Sequence, residues 1–268
     1  MASHFISIGN NNFHYEKIGE QKNAWLIWHG FSQNCQSFLP VFEDENKSET
    51  ILSIDLPFHG TTDFKDSLFT LEHIEALIQA LVTKHQLESI SLFGFSIGGK
   101  MVLSYLQKER PLVKQVVLAA SDGFYTDPYF YFSTQHFIGT KLFKYFISNP
   151  DKIIKMSKYL YKVGFISKSK WKFAHQNLQQ QQHLALVGKM WPAVKDIKVD
   201  TQLVLENLKK STTQVLVIIG KFDKILKPKS AEDWVAQLPQ GKLLKLPTGH
   251  NFLKPNILSA IKKAIQEF

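Results

Sequence analysis

The chain is poor in cysteine, in acidic residues relative to basic ones, and in long apolar runs. A single cysteine, Cys35, among 268 residues leaves no internal disulfide framework and agrees with a reducing compartment. It reads as a small core or loop residue, because it lies outside any matched nucleophile pattern. The longest apolar runs, such as Val215 to Ile219, are far too short to span a bilayer. Met1 to Gly9 lacks a basic start, an apolar core and a small-residue cleavage site, so no signal peptide and a cytoplasmic location are expected. Hydrophobic residues at 44% and charged residues at 21% exclude disordered and fibrous classes. Histidines and acids do not recur at ligand spacing, so neither a metal nor a cofactor is expected. The net charge of +9 could suit nucleic acid, but no helix-turn-helix, zinc spacing or aromatic-basic strand motif accompanies it.

What is present is an alternation of buried strands and helices. His4 to Ile8 and Asn12 to Glu16 flank the turn residues Gly9-Asn10-Asn11, a hairpin pattern. Ala24 to Trp28, Thr50 to Ile54, Ile90 to Phe93, Gln115 to Ala120 and Thr213 to Ile219 are continuous apolar runs of strands buried on both faces, and Leu243 to Leu246 supplies a last short strand. Leu71, Ile74, Leu77, Ile78, Leu81 and Val82 have helical spacing, with Thr70 as N-cap and His73 at the third position. Ile257 to Ile265 closes the chain with a helix. The series predicts an α/β fold, a mostly parallel sheet flanked by helices.

The series breaks from Phe124 to Asp200, where helical stretches occur without a good strand. The expected organisation is a core of residues 1–123 and 201–268 with a helical lid, 124–200, inserted after the sixth strand. Ligands in open α/β sheets bind outside the carboxyl ends of the strands, which such an insertion would roof. The segment carries Lys141, Lys144, Lys152, Lys155, Lys158, Lys162, Lys168, Lys170, Lys172, Lys189, Lys195 and Lys198 against Asp127, Asp151, Asp196 and Asp200, and it opens with Phe124, Tyr125, Tyr129, Phe130, Tyr131 and Phe132. Three readings stand: a solvated lysine face over an aromatic packing seam, an aromatic-walled pocket with one or two lysines steering an anionic substrate, or an amphipathic lid touching membrane or lipid.

Gly94-Phe95-Ser96-Ile97-Gly98 follows a strand and opens a helix, a spacing that holds a serine in a strained strand-to-helix turn with its hydroxyl above the sheet. A serine hydroxyl needs a base within hydrogen-bond reach and a third group to orient that base. Of ten histidines, His250 in Pro247-Thr248-Gly249-His250-Asn251 lies just beyond the last strand. The acid is expected between them in sequence: Asp223 after the strand Val215 to Ile219, with Asp122 as the alternative. The backbone N–H groups of Ile97 and of Phe31, in His29-Gly30-Phe31, are the expected donors to a developing oxyanion. His29 and His59 read as structural residues of their loops.

With these residues in view, the chain resembles the α/β-hydrolase superfamily, in its lid-bearing subset, through His29-Gly30-Phe31, Asp55-Leu56-Pro57-Phe58-His59-Gly60, the Ser96 turn, Asp223 and Gly249-His250. The resemblance covers nearly the whole chain outside the helical segment. It implies Ser96, Asp223 and His250 as a catalytic triad and Phe31 and Ile97 as the oxyanion pair. Phe58 departs from the glycine common at that position. Serine at 96 disfavours the dehalogenase and epoxide-hydrolase branches, which use aspartate. A looser similarity links Gly30-Phe31-Ser32, Gly94 to Lys100 and Gly249-His250-Asn251 to the succinyl-hydroxy-cyclohexadiene-carboxylate synthase of menaquinone synthesis, with Lys100 in place of arginine. The expected activity is hydrolysis of a small or medium ester or thioester. A lyase on the same triad, eliminating pyruvate from an anionic substrate, and a non-catalytic small-molecule binder are the alternatives. Phe95, Lys100, Tyr125 and Tyr129 are the candidate substrate contacts; the expected partner is a small molecule, without nucleic acid or stable membrane association, in a monomer or homodimer.

Overall fold

A computed structural model describes residues 3–43, 48–125, 127–166, 171 and 181–268. The chain opens with a hairpin, β1 (Ser3–Ile8) and β2 (Asn11–Ile18), turning at Gly9 with φ of 60°. It continues through β3 (Asn23–Trp28), α1 (Leu39–Phe42), β4 (Thr50–Ile54), α2 (Leu71–Lys84), β5 (Ser89–Phe95), α3 (Ile97–Tyr105) and β6 (Val113–Ala119). Next come α4 (Pro128–Gln135), α5 (Phe137–Ser148), α6 (Pro150–Lys162) and α7 (Gln181–Ala193). The closing elements are α8 (Thr201–Lys209), β7 (Gln214–Gly220), α9 (Pro228–Val235), β8 (Gly241–Leu246) and α10 (Pro255–Gln266).

The eight strands form one sheet in the order β1-β2-β4-β3-β5-β6-β7-β8. β1 and β2 are antiparallel, as are β2 and β4; every other neighbouring pair is parallel. The apolar runs of β3 to β7 therefore reflect burial on both faces. Trp25, Ile27, Phe93, Phe95, Val117 and Ile218 point into a core shared with Phe38 and Leu39 around α1 and with Ile257 and Ile261 of α10. Leu26, Leu92 and Val116, each adjacent in sequence to one of these, face the opposite way. α2 begins as expected: the Thr70 N–H donates to His73 Nδ1 (3.3 Å), and His73 Nε2 lies 3.0 Å from the Asp66 carboxylate.

From β3 the chain turns first to β4 on one side and then to β5 on the other. Connections after β3 and β5 thus leave in opposite directions, opening a crevice at their carboxyl ends. Ser96 directly follows β5, and the loop carrying His29 to Phe31 follows β3.

The chain divides into two compact units, residues 1–125 with 197–268, and residues 126–196. The second contains α4 to α7 and no strand among its described residues. Lys168, Lys170 and Lys172 lie outside the described residues. Among the described residues no helix is long and apolar enough to cross a membrane.

Candidate active site

Ser96 has φ of 52° and ψ of −120°, backbone values that L residues avoid. Neighbouring strands hold it there: its N–H donates to the Ala119 carbonyl (3.0 Å), and its own carbonyl accepts from Gly99 and Asp122 (both 2.9 Å). Two glycines make the turn sterically possible. A Cβ on Gly94 would come within 2.5 Å of the Gly99 Cα, and one on Gly98 within 2.3 Å of the Trp28 carbonyl oxygen.

The serine hydroxyl lies 3.0 Å from His250 Nε2, and His250 Nδ1 lies 2.8 Å from an Asp223 carboxylate oxygen. An ionised carboxylate only accepts hydrogen bonds, so Nδ1 carries the imidazole proton and Nε2 turns its lone pair to Ser96. The other Asp223 oxygen accepts the N–H groups of Ile225 (2.8 Å) and Leu226 (3.2 Å). Burial raises the Asp223 pKa, but the hydrogen bond and charge of His250, with those two backbone donors, outweigh it and hold the carboxyl below its usual range. The loops bearing Asp223 and His250 touch directly: Phe222 N–H donates to the Thr248 carbonyl (2.9 Å), and a Cβ on Gly220 would meet the Gly249 carbonyl oxygen at 2.5 Å. Asp122, the alternative acid, turns its carboxylate to the Gly123 N–H (2.8 Å).

Ile97 occupies the first position of α3, one of the first-turn residues whose N–H has no partner inside the helix. Phe31 sits on a loop pinned by two histidines. His29 donates from Nδ1 to the Gly30 carbonyl (2.7 Å) and accepts the Leu56 N–H at Nε2 (3.1 Å). His59 donates from Nδ1 to the Pro57 carbonyl (2.8 Å) and accepts the Ser32 N–H at Nε2 (3.0 Å). Burial, with the adjacent His59, drives His29 down to about 3, so it stays neutral.

Phe95, expected to touch substrate, takes a different place. It is 3% exposed, and its ring packs 5.3 Å from the His250 imidazole and 5.4 Å from Phe252. It backs the His250 imidazole, because a side chain on the last strand residue points into the core when the serine one residue later points out. Lys100 lies one turn along α3, its Cα 3.6 Å from where a Gly123 Cβ would be. The Tyr125 ring carries the Lys227 ammonium 3.6 Å from its centroid. Tyr129 is exposed on α4 in the helical unit. Beside Asp223 a cavity of about 10 Å³ is lined by Ser121, Gly220, Leu226 and Lys227, room for one water. A larger cavity of about 380 Å³ lies at the opposite end of β6 and β7, between Arg110, Asn207 and Thr213, away from Ser96.

A buried group that sequence spacing did not reveal centres on Asp55. It accepts the Cys35 N–H (2.7 Å), the Thr61 N–H (3.2 Å) and His14 Nδ1 (2.7 Å). The ligating atoms of His14, Cys35 and Asp55 lie within 4.8 Å of one another, as a metal would need. The carboxylate is already engaged by three N–H donors, however, and burial with the Asp55 charge pushes the Cys35 thiol up to about 12, leaving it protonated. The group is a hydrogen-bond hub for the loop after β4.

Residues 24–256 match the alpha/beta hydrolase fold family. This chain belongs to that family. Over 251 residues, 88% of the chain and 86% of the relative, it is 25% identical to "Uncharacterized hydrolase YugF" of Bacillus subtilis (strain 168). Among solved structures it resembles a thermophilic esterase from Thermogutta terrifontis (TM-score 0.70, 18% identity, covering 100% of this chain and 97% of that one). A second is an esterase from Exiguobacterium antarcticum (TM-score 0.67, 17% identity, 99% of each chain). In this α/β-hydrolase the departure at Phe58 has a visible consequence. Phe58 adopts φ of 63°, a value glycine takes freely, and its ring meets Phe64 edge-on at 5.3 Å.

Proposed function

We propose that this protein is a serine hydrolase of carboxylic esters or thioesters, acting through Ser96, His250 and Asp223. The observation that carries the reading is the unbroken hydrogen-bond chain from Asp223 through His250 to a serine held in strained backbone. As Ser96 Oγ bonds to the acyl carbon, His250 Nε2 takes its proton and the carbonyl oxygen becomes an oxyanion. The N–H groups of Ile97 and Phe31 receive that charge. Collapse expels the alcohol or thiol, which leaves with the proton from Nε2, and the acyl group stays on Ser96. Water then gives its proton to Nε2 and its oxygen to the acyl carbon; the acid departs and Ser96 regains its proton. Asp223 stays ionised throughout, in keeping with its lowered pKa, and stabilises the imidazolium between transfers. The esterases of similar fold support an ester substrate.

Hydrolysis of p-nitrophenyl esters from acetyl to dodecanoyl, by wild type and Ser96→Ala, tests this. The expected result is an early burst in the wild type and a loss of about 10⁴-fold or more in the variant. Turnover retained by Ser96→Ala, or none by folded wild type across the series, refutes the reading.

A further inference from the structure

The charge of this chain is concentrated in one unit. Residues 126–196 hold eleven lysines against three aspartates, with no arginine or glutamate, a net +8 of the chain's +9. The remaining residues are close to neutral.

Within that unit α5 is apolar on both sides. Its inner side is occupied: Phe143 stacks on Trp191 (5.7 Å, 2°), Ile147 fills the space that a Gly188 Cβ would enter, and Gly139 allows the Phe132 carbonyl to approach. On a helical projection Phe137, Lys141 and Tyr145 with Ile138 and Leu142 occupy one arc of about 140° on the opposite side. All five are exposed, Phe137 at 71%. Lysines are woven into this arc. The Lys141 ammonium lies 4.1 Å from the Phe137 ring centroid, and Lys152, from the start of α6, donates to the Tyr145 hydroxyl (2.6 Å). On α6 Met156 and Tyr159, with Val163 just past its end, form an exposed stripe at helical spacing beside Lys155, Lys158 and Lys162.

An exposed aromatic and aliphatic arc interleaved with ammonium groups, without one acidic side chain on α5, matches the boundary of an anionic bilayer. Apolar rings enter the acyl edge there while lysines meet the headgroup phosphates. The absence of any spanning helix among the described residues makes this a surface association. We propose that the outward face of α5, with Lys152, docks the protein reversibly on membranes rich in anionic lipid. The occupant is set by charge complementarity: a neutral surface would leave the concentrated +8 unpaired, and a protein partner would have to present acidic groups on an apolar plane.

Flotation with phosphatidylcholine vesicles, with and without phosphatidylglycerol, tests the proposal. Wild type is expected to float only with phosphatidylglycerol and to release in high salt. Lys141→Glu/Lys144→Glu/Lys152→Glu should weaken partition by roughly 100-fold or more, at about a kcal/mol for each lysine near the surface. Lys114→Glu/Lys210→Glu/Lys263→Glu, which shifts net charge equally in the other unit, should float like wild type. Phe137→Ser/Leu142→Ser should weaken binding while sparing its salt dependence. Far-UV circular dichroism and the urea midpoint report folding of each variant independently. Failure of wild type to float with phosphatidylglycerol, or equal loss in both charge-reversed variants, overturns the proposal.

Discussion

Replacing Ser96 by glycine should make the protein more stable than replacing it by alanine. Ser96 holds φ of 52° and ψ of −120°, which for a residue with a Cβ costs about 1–3 kcal/mol and for glycine almost nothing. Glycine loses more chain entropy on folding, about 0.5–1 kcal/mol relative to alanine. Taken at the middle of both ranges, the difference leaves Ser96→Gly ahead of Ser96→Ala by about 1 kcal/mol. Both variants lose the hydroxyl and its bond to His250, so the comparison isolates the backbone. Ser96 makes no side-chain cap to α3 and is only partly buried, so neither a lost cap nor a cavity confuses the sign. At this chain length the gain corresponds to a midpoint about 2–4 °C higher. Equilibrium urea unfolding of the two inactive variants, supported by thermal melts, is the assay. A glycine variant equal to or less stable than alanine would show that the turn stores no strain, and the argument that the fold holds the serine against its preference would fail.

Asp223→Asn should lower kcat by about 10³–10⁴-fold with KM little changed, because an amide no longer enforces the proton on His250 Nδ1; ester kinetics on the purified variant decide it. Acid should weaken the fold before carboxylates titrate. His29 is neutral down to about 3 when folded but gains a proton near 6.5 when unfolded. Stability is thus fully present above about 6.5 and falls steadily as pH drops through that window, by about 2 kcal/mol between pH 7 and pH 5. His29→Asn, although less stable at pH 7, should lose less over the same interval in urea titrations at both pH values. Phe58→Gly should exceed Phe58→Ala in stability by about 1 kcal/mol, since both remove the ring from Phe64 and only glycine relieves the φ of 63°. Equal midpoints would remove the physical account of Phe58.

Strands β3 to β7 were legible in the sequence because a parallel strand buried on both faces is apolar along most of its length, and such short runs between turn residues favour strands over the longer helices. Ser96, His250 and Asp223 could be selected because each falls just past a strand, and strand ends converge on one edge of a parallel sheet. Their mutual distances could not be read, since 154 and 27 positions of intervening strands and helices separate them. α8 and α9 escaped notice because helices of nine and eight residues span barely two turns of periodicity. The Asp55 hub was hidden for a different reason: His14, Cys35 and Asp55 come from a strand, a loop and a strand end, and only the pairing of β2 with β4 brings them together. Phe95 turns into the core although it adjoins Ser96, because neighbours in an extended chain face opposite directions.

The buried Cys35 has a practical consequence. Alkylating reagents attack thiolates, and a thiol pushed up to about 12 in a site 3% exposed offers almost none at neutral pH. The wild-type chain can therefore be left intact while a second cysteine is introduced and labelled selectively. Leu142→Cys carrying a polarity-sensitive dye would place a reporter on the outward side of α5. A blue shift on adding anionic vesicles would then measure how deeply that side chain sits.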